Sequence, residues 1–192
     1  QTESAMADIR LDPSLSLLAP RHGLGACTAT DLASLAEAEA SSGFTTCTPF
    51  VDGRATAEWH TRGHGINFQP VTSYPEPGLL ELSADGTVMI ERAPSGAYVE
   101  EWHLIPGTSA PVGHEVLPDG RHVYRAGSVT VVVRDRTALI PRPARLPALI
   151  ADADPAQARA LVDCEFSYCE HGVVVRSTLP WMEGRTVDVD LR

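Results

Sequence analysis

Ala97-Tyr98-Val99-Glu100-Glu101-Trp102-His103-Leu104-Ile105 is the clearest strand in the chain, and its tripeptide Glu101-Trp102-His103 repeats one found earlier, Glu58-Trp59-His60. A strand sends alternate side chains to opposite faces. Ala97, Val99, Glu101, His103 and Ile105 therefore share one face, and Tyr98, Glu100, Trp102 and Leu104 the other. In the earlier copy Glu58 and His60 share a face and Trp59 takes the opposite one. Both copies set a carboxylate and an imidazole side by side with an indole behind them. Two arrangements follow. In one, the tryptophans point into a core and the Glu/His pairs are solvated, as residue-type burial favours. In the other, the strands belong to a barrel with a polar-lined interior, the Glu/His pairs face a ligand and the tryptophans pack outside.

Outward from this stretch the chain keeps the same rhythm. Phe44–Val51 leads to the hairpin signal Asp52-Gly53, and Ala55–Thr61 follows. Gly65–Thr72 carries Ile66 and Phe68 on one face. Leu79–Ser83, Asp85-Gly86 and Thr87–Arg92 form a second hairpin, and Pro94-Ser95-Gly96 turns into the central stretch. Beyond Pro106-Gly107 come Asp119-Gly120, His122–Arg125 and the β-branched run Ser128–Arg134, which reads as a central strand. Strands recur about every ten residues with turn residues between them. The spacing predicts a mainly β fold, an antiparallel meander closing into a barrel of about 8–10 strands with two short helices.

The flanks differ. Residues 1–29 show little regular pattern, and Gln1–Ala5, ahead of Met6, read as a non-native leader. A helix is predicted over residues 31–41, capped by Thr30 or Asp31 and ended by Gly43. Pro141, Pro143 and Pro147 forbid a central strand and mark a connector. Asp154 and Pro155 then open a helix to about Val162. Strands near Cys164–Tyr168 and Val173–Leu179 and the alternating Thr186–Leu191 complete the pattern. No domain boundary shows, so residues 1–192 read as one domain, with 1–43 an N-terminal segment and helix, 44–192 the barrel, and 137–163 its proline-rich connector and helix.

Composition narrows the function. The chain has 192 residues, 43% of them hydrophobic, enough for a core without staples. Its formal charge of −10 argues against nucleic acid and anionic membranes as partners. All 15 basic residues are arginine, which excludes Schiff-base, pyridoxal-phosphate and P-loop lysines. The Ala/Arg/Gly/Pro bias resembles that of a high-GC bacterial genome. Cys27, Cys47, Cys164 and Cys169 have no zinc-finger spacing. They read as reduced thiols, and the chain as cytoplasmic. No apolar run is long enough to span a membrane as a helix, and no signal peptide stands out.

The layout of Phe44 to Arg192 resembles the calycin group of barrels, which includes the lipocalins and the fatty-acid-binding proteins. The resemblance is architectural. It implies an internal cavity for a small, largely apolar molecule and assigns no functional residues.

Glu58, His60, Glu101 and His103 form the best candidate catalytic set. Imidazole titrates near neutrality, and a neighbouring carboxylate orients it and stabilises its charged form. Facing one cavity, the four side chains would supply acid/base chemistry for an isomerase, cyclase or dehydratase with no cofactor. Candidate substrate-binding residues are Trp59, Phe68, Tyr98, Trp102, Tyr124 and Arg176; the last, in an apolar strand, would pair a ligand carboxylate or Glu101 if inward and is simply the polar face if outward. Two histidines and a carboxylate also suit iron or zinc, but His-x-His and His-x-Asp/Glu strand signatures are missing, so no metal is expected. The expected partner is a small-molecule ligand or substrate. A non-catalytic carrier of the same fold is the alternative, an interaction module built on the tryptophans a third, and a homodimer is left open.

Overall fold

Turn chemistry sets the strand boundaries. At Asp52-Gly53 both residues take positive φ, 49° and 73°, the left-handed pair that a tight hairpin needs. In the computed structural model, which describes residues 2–61, 63, 65–71, 76–108 and 111–187, these turns join two antiparallel meanders. The first sheet runs in sequence order through β1 (Thr2–Arg10), β2 (Glu39–Cys47), β3 (Arg54–His60), β4 (Gly78–Leu82), β5 (Val88–Arg92) and β6 (Val99–His103). The second contains β7 (Val112–Val116), β8 (His122–Ala126), β9 (Val129–Arg134), β10 (Glu165–Glu170) and β11 (Val173–Ser177), again neighbour to neighbour. The valine-rich β9 lies between β8 and β10, the central place its β-branched residues predict.

The fold is mainly β and barrel-like, with one sheet curled into a half-barrel. The expected single meander of 8–10 strands is instead split into two sheets, and the break falls between β6 and β7, after Pro106-Gly107. The curl of the first sheet is visible in one ion pair. β1 and β6 are its opposite edges, five strand spacings or roughly 24 Å apart if it were flat. Yet the Arg10 guanidinium, on β1, bonds both carboxylate oxygens of Glu100, on β6. The sheet has rolled until its two edges reach each other through side chains.

The second sheet is covered instead of rolled. Helices α1 (Ala29–Ala36), α2 (Leu146–Ala151) and α3 (Pro155–Val162) and the 3-10 segment Pro13–Arg21 pack on one of its faces. Leu15, Leu32, Leu35, Leu146, Leu149, Leu161 and Val162 meet Tyr124, Val133 and Phe166 there. Val132, Cys169 and Val174 form a smaller cluster with Met182 and Val187.

Several expectations change. Residues 2–10 form a regular strand paired along the whole of β2, so the strand continues through Thr2–Ala5. The first helix starts earlier, at a capping box between Thr28 and Asp31, and ends at Ala36. Gly43 therefore caps no helix. It lies inside β2, where a Cβ would collide with the carbonyl of His60. Leu146–Ala151 is a helix inside the proline-rich connector, with Pro147 in its first turn, where proline costs nothing. α3 begins at Asp154-Pro155 as predicted. Of Thr186–Leu191, Thr186 and Val187 fall within the described residues: Thr186 bridges Val173, and Val187 N–H donates to the Gly172 carbonyl at 2.9 Å. Gln69, buried, holds the helical layer to the sheet: its amide nitrogen donates to the carbonyls of Ala36 and Ala38, both at 2.7 Å, and its oxygen accepts from Leu146 N at 3.0 Å.

Candidate binding site in the half-barrel

Strand register decides which side chains share the inner face of the half-barrel. Ser4 stands opposite Thr45, Thr45 opposite Trp59, Ala55 opposite Leu80, Leu80 opposite Glu91, and Met89 opposite Trp102. These rows face inward and enclose a cavity of about 270 Å³. Its apolar lining comes from Met6, Ala57, Leu80 and Met89, its rings from Trp59, Tyr98 and Trp102, and its charges from Asp8, Arg10 and Glu91.

Glu91 is the centre of the site. It is only 4% exposed and lies directly opposite Glu100 on the neighbouring strand. Two like charges in that position repel, and the site separates their roles. Glu100 turns to Arg10, whose Nη2 lies 3.1 Å from Glu100 Oε2 and whose Nε lies 2.7 Å from Asp8 Oδ2. Glu91 accepts from the Tyr98 hydroxyl at 2.9 Å and from Trp102 Nε1 at 3.1 Å. Both donors are the i−2 and i+2 neighbours of Glu100, so the alternation of β6 aims them at Glu91. Burial, with Glu100 adding to it, pushes the Glu91 carboxyl above its ordinary range against the pull of these two hydrogen bonds and of the nearby Arg10. Burial also raises Asp8, with Arg10 opposing. The Tyr98 hydroxyl is raised by burial and by the carboxylate it donates to.

Gly78 makes room for this arrangement. A Cβ there would run into the six-membered ring of Trp59 and come within 3.1 Å of Glu91 Cγ. The indole can lie over β4 beside Glu91 only because residue 78 has no side chain. The Arg10 guanidinium carbon lies 5.8 Å from the Trp102 ring centroid, within cation–π reach.

Of the residues singled out from sequence, Trp59, Tyr98 and Trp102 line this cavity. The Glu/His pairs do not. Glu101 and His103 contact each other at 2.6 Å on the outer face, with side chains 58% and 68% exposed. His60 bonds Thr46 Oγ1 at 3.0 Å and stacks on Phe44, with Glu58 3.9 Å away. The two pairs are three strand spacings apart, roughly 14 Å, and share no pocket. The tryptophans turn inward, but toward a cavity and not a filled core, and Trp102 stays 37% exposed. Phe68 is wholly buried in the helical core. Tyr124 is buried there too, its ring stacked 4.4 Å from that of His114. Arg176 lines a groove between the sheets, donating to Ser16 Oγ at 2.6 Å and lying 3.7 Å from Glu183, so neither Glu101 nor a cavity group is its partner.

Asp8, Arg10, Glu91 and Glu100 were not singled out from sequence. The one signal was Glu91 itself, a carboxylate on the face it shares with Met89, and it has meaning only once β4 and β6 are known to flank it. Among the described residues, no three or more His, Cys, Asp or Glu side chains gather closely enough to hold a metal ion. Among the described residues, no helix is long and apolar enough to cross a membrane. None of the four cysteines is in a disulfide. No protein-family model, curated protein or solved structure matches the chain.

Proposed function

We propose that the protein binds a small organic molecule in the half-barrel, as a non-catalytic carrier in the manner of the calycin barrels, working in the cytoplasm without a cofactor. The observation that carries this reading is the inner face of the first sheet. Sheets that bear Trp, Met and Leu on one face normally bury it under another layer. Here the second sheet has its helical cover and the half-barrel keeps a cavity, lined by the rings of Trp59, Tyr98 and Trp102 around the buried carboxylate of Glu91. Concave, mostly apolar sites with a few convergent polar groups are the usual form of ligand pockets. The acid/base alternative drew its proton transfers from Glu58, His60, Glu101 and His103, and their outward placement favours the carrier.

The test is a small-molecule panel followed by thermal shift and tryptophan fluorescence, on wild type and on Gly78→Ala. The added methyl displaces the Trp59 ring toward the cavity. Ligands that stabilise the wild type lose their effect in the variant, while its far-ultraviolet spectrum stays unchanged. Ligands that bind the variant equally well place the site elsewhere and defeat the proposal.

A further inference from the structure

The geometry points to a ligand that carries a protonated amine, seated on Glu91 among the rings of Trp59, Tyr98 and Trp102; the inference rests on the half-barrel being a binding site. The reasoning starts from charge. Among the described residues, the charged groups around the cavity are the carboxylates of Asp8, Glu91 and Glu100 and the guanidinium of Arg10. Arg10 engages Asp8 and Glu100. Glu91 is the deepest of the three, and the two groups that donate to it, a phenol and an indole N–H, are neutral. They satisfy one lone pair on each oxygen and leave others open, since an ionised carboxylate offers about four acceptor sites. They do not cancel its charge. Arg10 offsets that charge only weakly, since its guanidinium is bonded to Asp8 and Glu100; a buried ion so poorly balanced is unfavourable, and a cation brought by the ligand removes that cost.

The rings point the same way. Aromatic faces attract cations within about 6 Å of their centroids, best of all for tryptophan. The site already contains one such contact, Arg10 over Trp102. Trp59 and Glu91 are side by side, because both would meet a side chain placed at Gly78. An ammonium at Glu91 therefore touches carboxylate and aromatic surface together, and Met6, Leu80 and Met89 remain for an apolar body. A ligand carboxylate in the same place would face Asp8, Glu91 and Glu100, with Arg10 to offset them.

Three probes with the same chain isolate the head group: octylamine, octanol and octanoate, titrated at pH 7.5 and 0.15 M salt by calorimetry and tryptophan fluorescence. Octylamine is expected to bind about tenfold more tightly than octanol, the size of a charge-assisted hydrogen bond, with octanoate the weakest. In Glu91→Gln the amide oxygen still accepts from Trp102 and its NH2 donates to the Tyr98 hydroxyl, so the shape is kept and the tenfold preference disappears. A measurement on the wild type needs no variant: the Trp102 Nε1–H resonance, which reports its bond to Glu91, shifts with octylamine and stays put with octanol. Octanol or octanoate binding as tightly as octylamine, or a preference that survives Glu91→Gln, overturns the ammonium inference and leaves the cavity reading standing. Failure of all three probes to bind the wild type overturns both.

Discussion

The two sheets are built alike, each a meander of neighbouring antiparallel strands, yet they treat their inner faces differently. The second sheet gives Tyr124, Val133 and Phe166 to a layer of three α-helices and becomes the core of the molecule. The first gives Trp59, Met89 and Trp102 to a cavity and ties its two edge strands together with an ion pair. Filling a sheet face and rolling it are alternative ways of removing apolar side chains from water. Only rolling leaves an interior that another molecule can enter. On the proposed reading, the contrast places stability in one half of the fold and recognition in the other.

The sharpest way to break that contrast is to cut the same depth from each side. Phe166 is wholly buried among close-packed neighbours. Phe166→Ala is expected to cost about 3–5 kcal/mol, from lost transfer energy and a cavity that cannot collapse. That is roughly a 10 °C fall in melting temperature for a chain of this size. Met89 is half-buried against a space already there. Met89→Ala should cost about 1 kcal/mol, a fraction of full burial. Equal losses in the two variants, measured by urea denaturation, would mean that the half-barrel is a core like the other.

How much of this contrast was readable in the residues depends on how local each signal was. Asp52-Gly53 and Asp85-Gly86 mark hairpins because turn backbone chemistry is contained within two residues. Asp154-Pro155 marks a helix start for the same reason. Gly43 misled, since a glycine after a helical pattern reads as a cap, whereas the real constraint is the His60 carbonyl, brought against it by β3. β1 was invisible because its partner lies more than thirty residues on, across a helix, with no turn between them to announce a pair. The faces of 97–105 could not be told apart, as each carries both apolar and charged residues. What separates them is the row Leu80–Glu91–Glu100 across three strands, a property of register that no single strand contains. A meander that continues and one that changes sheet also have the same local pattern, so the break after β6 left no trace.

A smaller effect sharpens the comparison through pH. The half-barrel holds the carboxyls raised by burial, Glu91 and Asp8, while Asp31 of the helical layer is lowered, chiefly by the backbone amide of Thr28. A carboxyl whose folded pKa exceeds its unfolded one binds its proton more tightly in the folded state. Its stabilising effect is complete below the ordinary value, 4.5 for Glu91, and is lost as pH rises through the raised value. Asp31 acts in the opposite sense, stabilising at neutral pH and losing that contribution as pH falls below its ordinary 3.8. Subtracting the stability of Glu91→Gln from that of the wild type across pH 3 to 8 isolates the first effect. The difference should favour the wild type most at the acid end and shrink as pH climbs past 4.5. A difference that grows with pH would mean that Glu91 is held ionised by a cation, and the charge argument for the cavity would be reversed.

The smallest expected effect concerns the outer face. His103 and Glu101 meet at 2.6 Å, but both side chains are mostly in solvent, where such pairs contribute less than about 1 kcal/mol. His103→Ala should therefore shift stability by no more than about 0.5 kcal/mol, as exposed substitutions generally do. It should also leave ligand affinity unchanged. Its neighbour, one residue away, behaves differently. Trp102→Ala removes the indole that donates to Glu91 and leaves that buried oxygen without its partner, so binding is lost even where the fold survives. The pair of variants reads strand alternation directly as function: odd residues of β6 are silent and even ones are not. If His103→Ala abolished a ligand-dependent signal that Trp102→Ala spared, the site would lie on the outer face, and the Glu/His pairs would become the groups to pursue.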